Sequence, residues 1–196
     1  MQQILEIKCY SFIFAKVKLE ITTMRNFLII VVVFLSSSLL SGQQGEKVHW
    51  YSIEDVDRIL AENPKPLFID SFTDWCGWCK KLDKDTFSDS IIAKYLNENF
   101  YPVKFNAESK EPITFLGREF INDGKSGKAH QLAVALMQGK LSYPTVIFMN
   151  EKGQLLAPVP GYMGPKEFEP ILVYFGDKKY LTQKWEEFSA GFKGSY

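Results

Sequence analysis

After residue 46 the apolar positions of this chain follow two rhythms in turn, one strand-like and one helical. Lys47 to Tyr51 reads as a short strand. Ser52 then opens a helix with Asp55 as its capping-box partner, Ile53, Val56, Ile59 and Leu60 form its apolar stripe, and Asn63-Pro64 ends it. Leu67 to Phe72 (LFIDSF) is a continuous apolar run broken by one acid, the pattern of a strand covered on both faces. A helix is predicted from Cys76 towards Asp85. Another, capped at Ser88 or Asp89, carries Ile91, Ile92, Tyr95 and Leu96, and Tyr101 to Asn106 is the next strand.

The second half continues this alternation after an interruption. Ile113 to Phe115 and Arg118 to Phe120 flank Leu116-Gly117 as a small β-hairpin, and Asn122 to Gly127 reads as a loop. Ala129 to Gln138 spaces Leu132, Ala133, Leu136 and Met137 helically and stops at Gly139. Thr145 to Met149 and Gln154 to Val159 form an antiparallel pair about the turn 150–153. Pro165 opens a helix through Phe175. Tyr180 to Phe188 suggests a last one, packed on the sheet through Leu181, Trp185 and Phe188. The chain is therefore expected to be α/β: one domain over 43–196, a central sheet flanked by helices, with an insertion at 107–128 and an extra C-terminal helix.

Residues 1–42 follow a different logic. Phe27 to Leu40 is apolar or small and follows Arg25, as in the core of a signal peptide. It falls short of the roughly 18 apolar residues of a membrane span. Ser41-Gly42 suits cleavage, and Met24 stands where translation would start, which makes Met1 to Thr23 an upstream extension. An uncleaved signal anchor is the alternative, giving a membrane-attached protein. The expected location is the periplasm or another exported compartment.

Charge removes several functions. Lys+Arg and Asp+Glu both total 23, which excludes a basic nucleic-acid binder. Aromatic residues make up 15% of the chain, enough to build a core and exclude general disorder. Of three cysteines, Cys9 lies in the N-terminal segment, so Cys76 and Cys79 stand alone in the domain.

That pair carries the chemistry. Trp75-Cys76-Gly77-Trp78-Cys79-Lys80 follows an apolar strand and opens a helix, where free N–H groups favour a thiolate at Cys76. One turn separates the two sulfurs, so the pair can cycle between dithiol and disulfide. A static disulfide is the plain alternative. Half a zinc site is another, although His49 and His130 are the only histidines and neither has ligand spacing, so no metal is expected. Asp70 in an apolar strand is costly to ionise, so its pKa should rise.

These residues resemble the thioredoxin superfamily, and within it the C-terminal domains of DsbD electron transporters and the thioredoxin-related proteins of bacterial envelopes. The resemblance rests on WCGWCK, on Asp70 six positions before Cys76, on Tyr143-Pro144-Thr145 and on Pro160-Gly161. It implies a thioredoxin fold with a mixed sheet and a cis bond before Pro144. It implies Cys76 as attacking thiolate, Cys79 as resolving thiol, and Asp70 as proton carrier with Lys104 as its partner. Trp75, Gly77, Trp78, Tyr143, Pro144 and Gly161 would meet the substrate. Trp78 stands where the family commonly has proline.

The expected activity is therefore that of an exported, monomeric thiol–disulfide oxidoreductase without cofactor. It would reduce, or else isomerise or oxidise, protein disulfides and be recycled by a membrane-bound or soluble redox partner. A client-binding module without catalysis and a copper(I) chaperone are the rival readings. His130 is expected as a helix cap or surface residue. Phe115 and Phe120 of the insertion are expected either on the active-site side, facing a client, or packed at the sheet edge.

Overall fold

The computed structural model describes residues 45–196. The expected signal segment and Met24 start lie outside the described residues. Five strands form one sheet in the order β1-β3-β2-β6-β7: β1 Tyr51–Ser52, β2 Leu67–Phe72, β3 Tyr101–Asn106, β6 Thr145–Met149 and β7 Leu155–Pro160. β1 and β2 run parallel to β3, whereas β6 is antiparallel to both β2 and β7. Helices α1 Val56–Glu62, α2 Gly77–Asp85, α3 Ser90–Asn99, α4 Gln131–Leu136, α5 Pro165–Gly176 and α6 Trp185–Gly191 complete the fold. Among the described residues no helix is long and apolar enough to cross a membrane.

The alternation of β2 explains its apolar run. Leu67 and Ile69 enter a cluster with Val56, Val103, Phe105, Leu132 and Ile147 on one face. Phe68 enters the other, with Leu82, Ile92, Leu96, Phe148, Phe168 and Leu172. Phe68 has five aromatic neighbours, Trp50, Phe87, Phe100, Phe148 and Phe168, with ring centroids 5.5–6.3 Å away. Period-two alternation places Asp70 on this aromatic face, in register with Lys104 of β3.

Local chemistry shifts some predicted boundaries. The first strand shrinks to Tyr51–Ser52 because Asn97 straps the preceding residues: its amide donates to Glu46 and to the Lys47 carbonyl and accepts from the His49 N–H. Ser52 caps a 3-10 turn, Ile53–Asp55, by accepting from the Glu54 N–H, and Asp55 pairs with Arg58 instead of closing a capping box. The last predicted helix, Tyr180 to Phe188, is split: a 3-10 turn covers Lys179–Leu181, Thr182 leaves helical geometry at φ −121°, and the helix resumes only at Trp185. Its remainder, α6, packs on α5 and not on the sheet, with Trp185 and Phe188 5.4 and 5.3 Å from the Tyr174 ring. Leu181 is exposed.

The insertion holds the predicted hairpin, β4 Ile113–Phe115 with β5 Arg118–Phe120. Its tip, Leu116-Gly117, has positive φ at both residues, and both N–H groups donate to the Asp57 carboxylate of α1. Ile113 and Phe115 are buried in the core beside α1 and α4, with Phe120 packed against them. Leu116 also crowds Gly153 in the β6–β7 turn, where an added Cβ would come within 2.7 Å of it. That turn follows Met149, which pairs with the start of β2, whereas Cys76 follows the end of β2. Of the two places expected for Phe115 and Phe120, the one facing a client beside the cysteines is therefore corrected in favour of packing: both close the core, and the hairpin tip lies at the opposite end of the sheet.

Candidate active site

β2 ends at Phe72, and the chain turns through Thr73-Asp74-Trp75 into α2. Cys76 is the N-cap of that helix: its backbone is extended, and Sγ accepts a hydrogen bond from the Cys79 N–H at 3.0 Å. Cys76 and Cys79 form a disulfide, with Cα atoms 5.3 Å apart. Both residues are 3% exposed, so Cys76 is as covered as Cys79 in the oxidised state.

Two tryptophans flank the pair and stand out into solvent, Trp75 64% and Trp78 59% exposed. Trp75 meets Tyr143 edge-on at 6.0 Å, and Trp78 lies 5.4 Å from Tyr162. These tyrosines belong to neighbouring loops, because the Gly161 N–H donates to the Pro144 carbonyl at 2.8 Å. The Tyr143–Pro144 peptide is cis. Gly161 has φ 99°, and a Cβ there would meet nothing within 4 Å, so the chain is accessible to another backbone at that point. Trp75, Gly77, Trp78, Tyr143, Pro144 and Gly161 thus gather on one end of the sheet with the disulfide.

Asp70 lies behind this surface. Its Oδ2 accepts from the Lys104 ammonium at 2.5 Å, and Oδ1 is buried without a partner. Burial pushes the Asp70 carboxyl up to about 6, against the opposing pull of the Lys104 charge. Lys104 also bonds Asp83 of α2 and lies 4.5 Å over the Trp50 ring. A buried acid that titrates near neutrality, linked through one ammonium to a surface carboxylate, can take up and return a proton at little cost.

His130 is a cap, as expected, but a buried one. Its Nδ1 accepts from the Leu132 N–H at 3.1 Å, and its Nε2 bonds the Glu111 carbonyl at 3.2 Å. Sequence reasoning missed three residues here. Asp83 was legible in principle, four positions after Cys79 on the same helix face. Tyr162 and Glu108 had no local signal. Glu108 Oε2 accepts from the Trp75 indole N–H at 3.1 Å, so the root of the insertion touches the site even though its hairpin does not.

A parallel-to-antiparallel sheet with a cysteine pair capping the helix after its central strand defines a thioredoxin-fold protein. Residues 54–176 match the thioredoxin-like domain family, and the chain belongs to that family. It is 28% identical over 126 residues to the thiol:disulfide interchange protein DsbD of Pectobacterium atrosepticum, a match covering 63% of this chain and 19% of that protein. It is 30% identical over 94 residues to spermatogenesis-associated protein 20 of Mus musculus, covering 47% of this chain and 12% of that one. The chain therefore spans less than a fifth of either relative. A solved thioredoxin-fold protein from Helicobacter pylori superposes with a TM-score of 0.53 at 20% identity, covering 76% of this chain and 91% of its own.

Proposed function

We propose that this protein is an exported thiol–disulfide oxidoreductase that reduces disulfide bonds in client proteins. The observation that carries the reading is the Cys76–Cys79 disulfide at the N-cap of α2, with the half-paired, buried Asp70 on the strand that leads into it. In the reduced state the Cys76 thiolate attacks one sulfur of the client disulfide. A mixed disulfide forms and the client's other sulfur leaves as a thiolate. Asp70 takes the proton of Cys79, whose thiolate attacks the Cys76 sulfur. The client leaves with both sulfurs reduced, and two electrons have passed from the enzyme, now a disulfide. A dithiol partner restores it by the reverse exchange. Lys104 steadies the ionised form of Asp70, and the backbone beside Pro144 and Gly161 holds the client as an added strand.

Three experiments test this. The reduction potential of the Cys76–Cys79 couple should lie near the thioredoxin end, about −270 mV; a value near −120 mV would make the protein an oxidant instead. Reduction of insulin by the dithiol form should be catalytic. Absence of reduction from a folded protein would favour a client-binding module. The apolar run at 27–40 supports export, and cell fractionation with N-terminal sequencing of the recovered protein checks it.

A further inference from the structure

The two aromatic corners beside the disulfide contain the same groups but differ in one charge. On the α2 side Trp78 meets Tyr162, the Lys81 ammonium lies 5.1 Å from the Tyr162 ring, and Asp85 pairs with Lys81 while accepting from the Tyr162 hydroxyl at 2.9 Å. That corner is an indole, a phenol, a carboxylate and a cation. On the other side Trp75 meets Tyr143, and Glu108 supplies the carboxylate. Among the described residues no lysine or arginine lies over Trp75 or Tyr143, and Glu108 Oε1 accepts no hydrogen bond.

This second corner is firmly held. The Ala107 N–H donates to the Phe72 carbonyl at 2.8 Å, and the Ala107 carbonyl accepts from the His130 N–H at 2.8 Å. The Glu108 N–H donates to Asn106 Oδ1 at 3.0 Å, and the Asn106 amide donates to Asp74 at 3.2 Å. Burial first, and the Glu108 charge second, push the Tyr143 hydroxyl above its ordinary pKa. Electron-rich ring faces and a fixed carboxylate attract a cation, and a guanidinium stacks on such rings best.

We propose that the corner formed by Trp75, Tyr143 and Glu108 receives a lysine or arginine side chain that a client protein carries beside its reactive cysteine, with Glu108 selecting it. This rests on the oxidoreductase reading only in taking the occupant to be a client of that disulfide. An acidic side chain there would be repelled by the Glu108 carboxylate, and an uncharged one would leave its negative charge uncompensated.

The test uses the full chain and short disulfide-bonded peptides that differ only in having Arg, Ser or Glu beside one cysteine. At low salt the dithiol form should reduce the Arg peptide about five- to tenfold faster than the Ser peptide, with the Glu peptide slowest. The preference should shrink in about 0.5 M salt. Glu108→Gln keeps an acceptor for the Trp75 N–H but removes the charge, and should cut the Arg-to-Ser ratio to about twofold or less. Cysteine-free analogues, followed through the Trp75 indole N–H resonance, read binding without turnover. Equal rates on all three peptides, or a preference that survives Glu108→Gln, would overturn the inference and leave the oxidoreductase reading intact. Arg-selective binding without any reduction would support the corner and remove the oxidoreductase reading instead.

Discussion

Asp70 and Lys104 face each other in register across two parallel strands, 2.5 Å apart, and the pair still leaves Asp70 Oδ1 buried without a partner. One ammonium, shared with Asp83, does not offset the removal of a carboxylate from water. The acid is therefore held in a state that costs stability and supplies a proton acceptor at neutral pH.

Asp70→Asn should stabilise the oxidised protein above pH 7. The Asp70 pKa is raised from 3.8 to about 6, so the native state holds this proton more tightly than the unfolded chain does. Stability consequently falls as pH rises from about 4 through about 6 and stays low beyond, by about 3 kcal/mol at most. The asparagine variant should gain most of that at pH 8 and little at pH 4, by denaturant unfolding. An equal difference at both pH values would mean that Asp70 does not titrate between them. The same variant should slow the resolving step more than the initial attack.

Lys104→Met removes the charge that opposes burial at Asp70, so that carboxyl should titrate higher still. The pH–rate profile of the resolving step should move to higher pH, and oxidised-state stability at pH 8 should drop by about 1–3 kcal/mol. A lysine that merely sat on the surface would leave the profile in place.

Cys76→Ser should abolish turnover, and Cys79→Ser should accumulate stable mixed disulfides with clients. The motive is position: Cys76 caps α2 and receives the Cys79 N–H, whereas Cys79 lies inside the first turn. Because the two residues are equally covered as a disulfide, order of alkylation in the reduced protein is the discriminating measurement. Faster modification of Cys79 below neutral pH would reverse the roles.

The parts of this molecule that sequence makes legible are those set by neighbours in the chain. The run Leu67 to Phe72 gives β2 with its true ends, and Leu116-Gly117 marks the hairpin turn correctly. What the hairpin packs against is decided by Asp57 and Gly153, residues far along the chain that carry no periodic signal. The same holds at the site. WCGWC and Asp70 stand out in sequence, but the Glu108 bond to Trp75 and the Asn97 strap that shortens β1 come from side chains meeting across the fold.

The corrected place of the insertion changes what its removal should do. Phe115 is 3% exposed in the core, so Phe115→Ala should cost about 3–4 kcal/mol. Replacing residues 112–122 by a Gly-Ser linker should expose the same core and lower stability, with no selective loss on protein clients. Thermal unfolding beside activity on insulin and on a small disulfide decides; unchanged stability would return the hairpin to a client-facing role.

His130 should give the opposite pH dependence to Asp70. Its Nδ1 accepts the Leu132 N–H, so the ring is neutral in the native state, and burial holds its pKa below 6.5 despite the bond to the Glu111 carbonyl. The unfolded chain takes up this proton below about pH 6.5 and the native state resists it, so this contribution to stability is present above that pH and lost as pH falls. Asparagine can still cap α4 through its side-chain oxygen but cannot titrate. His130→Asn should therefore be less stable than the parent by about 1 kcal/mol at pH 8, through the lost Glu111 bond and the contact with Phe105. The gap should narrow or reverse by pH 5, where the parent alone pays the protonation cost. A gap that stays constant between the two pH values would show that His130 keeps its proton state throughout and acts only as a cap.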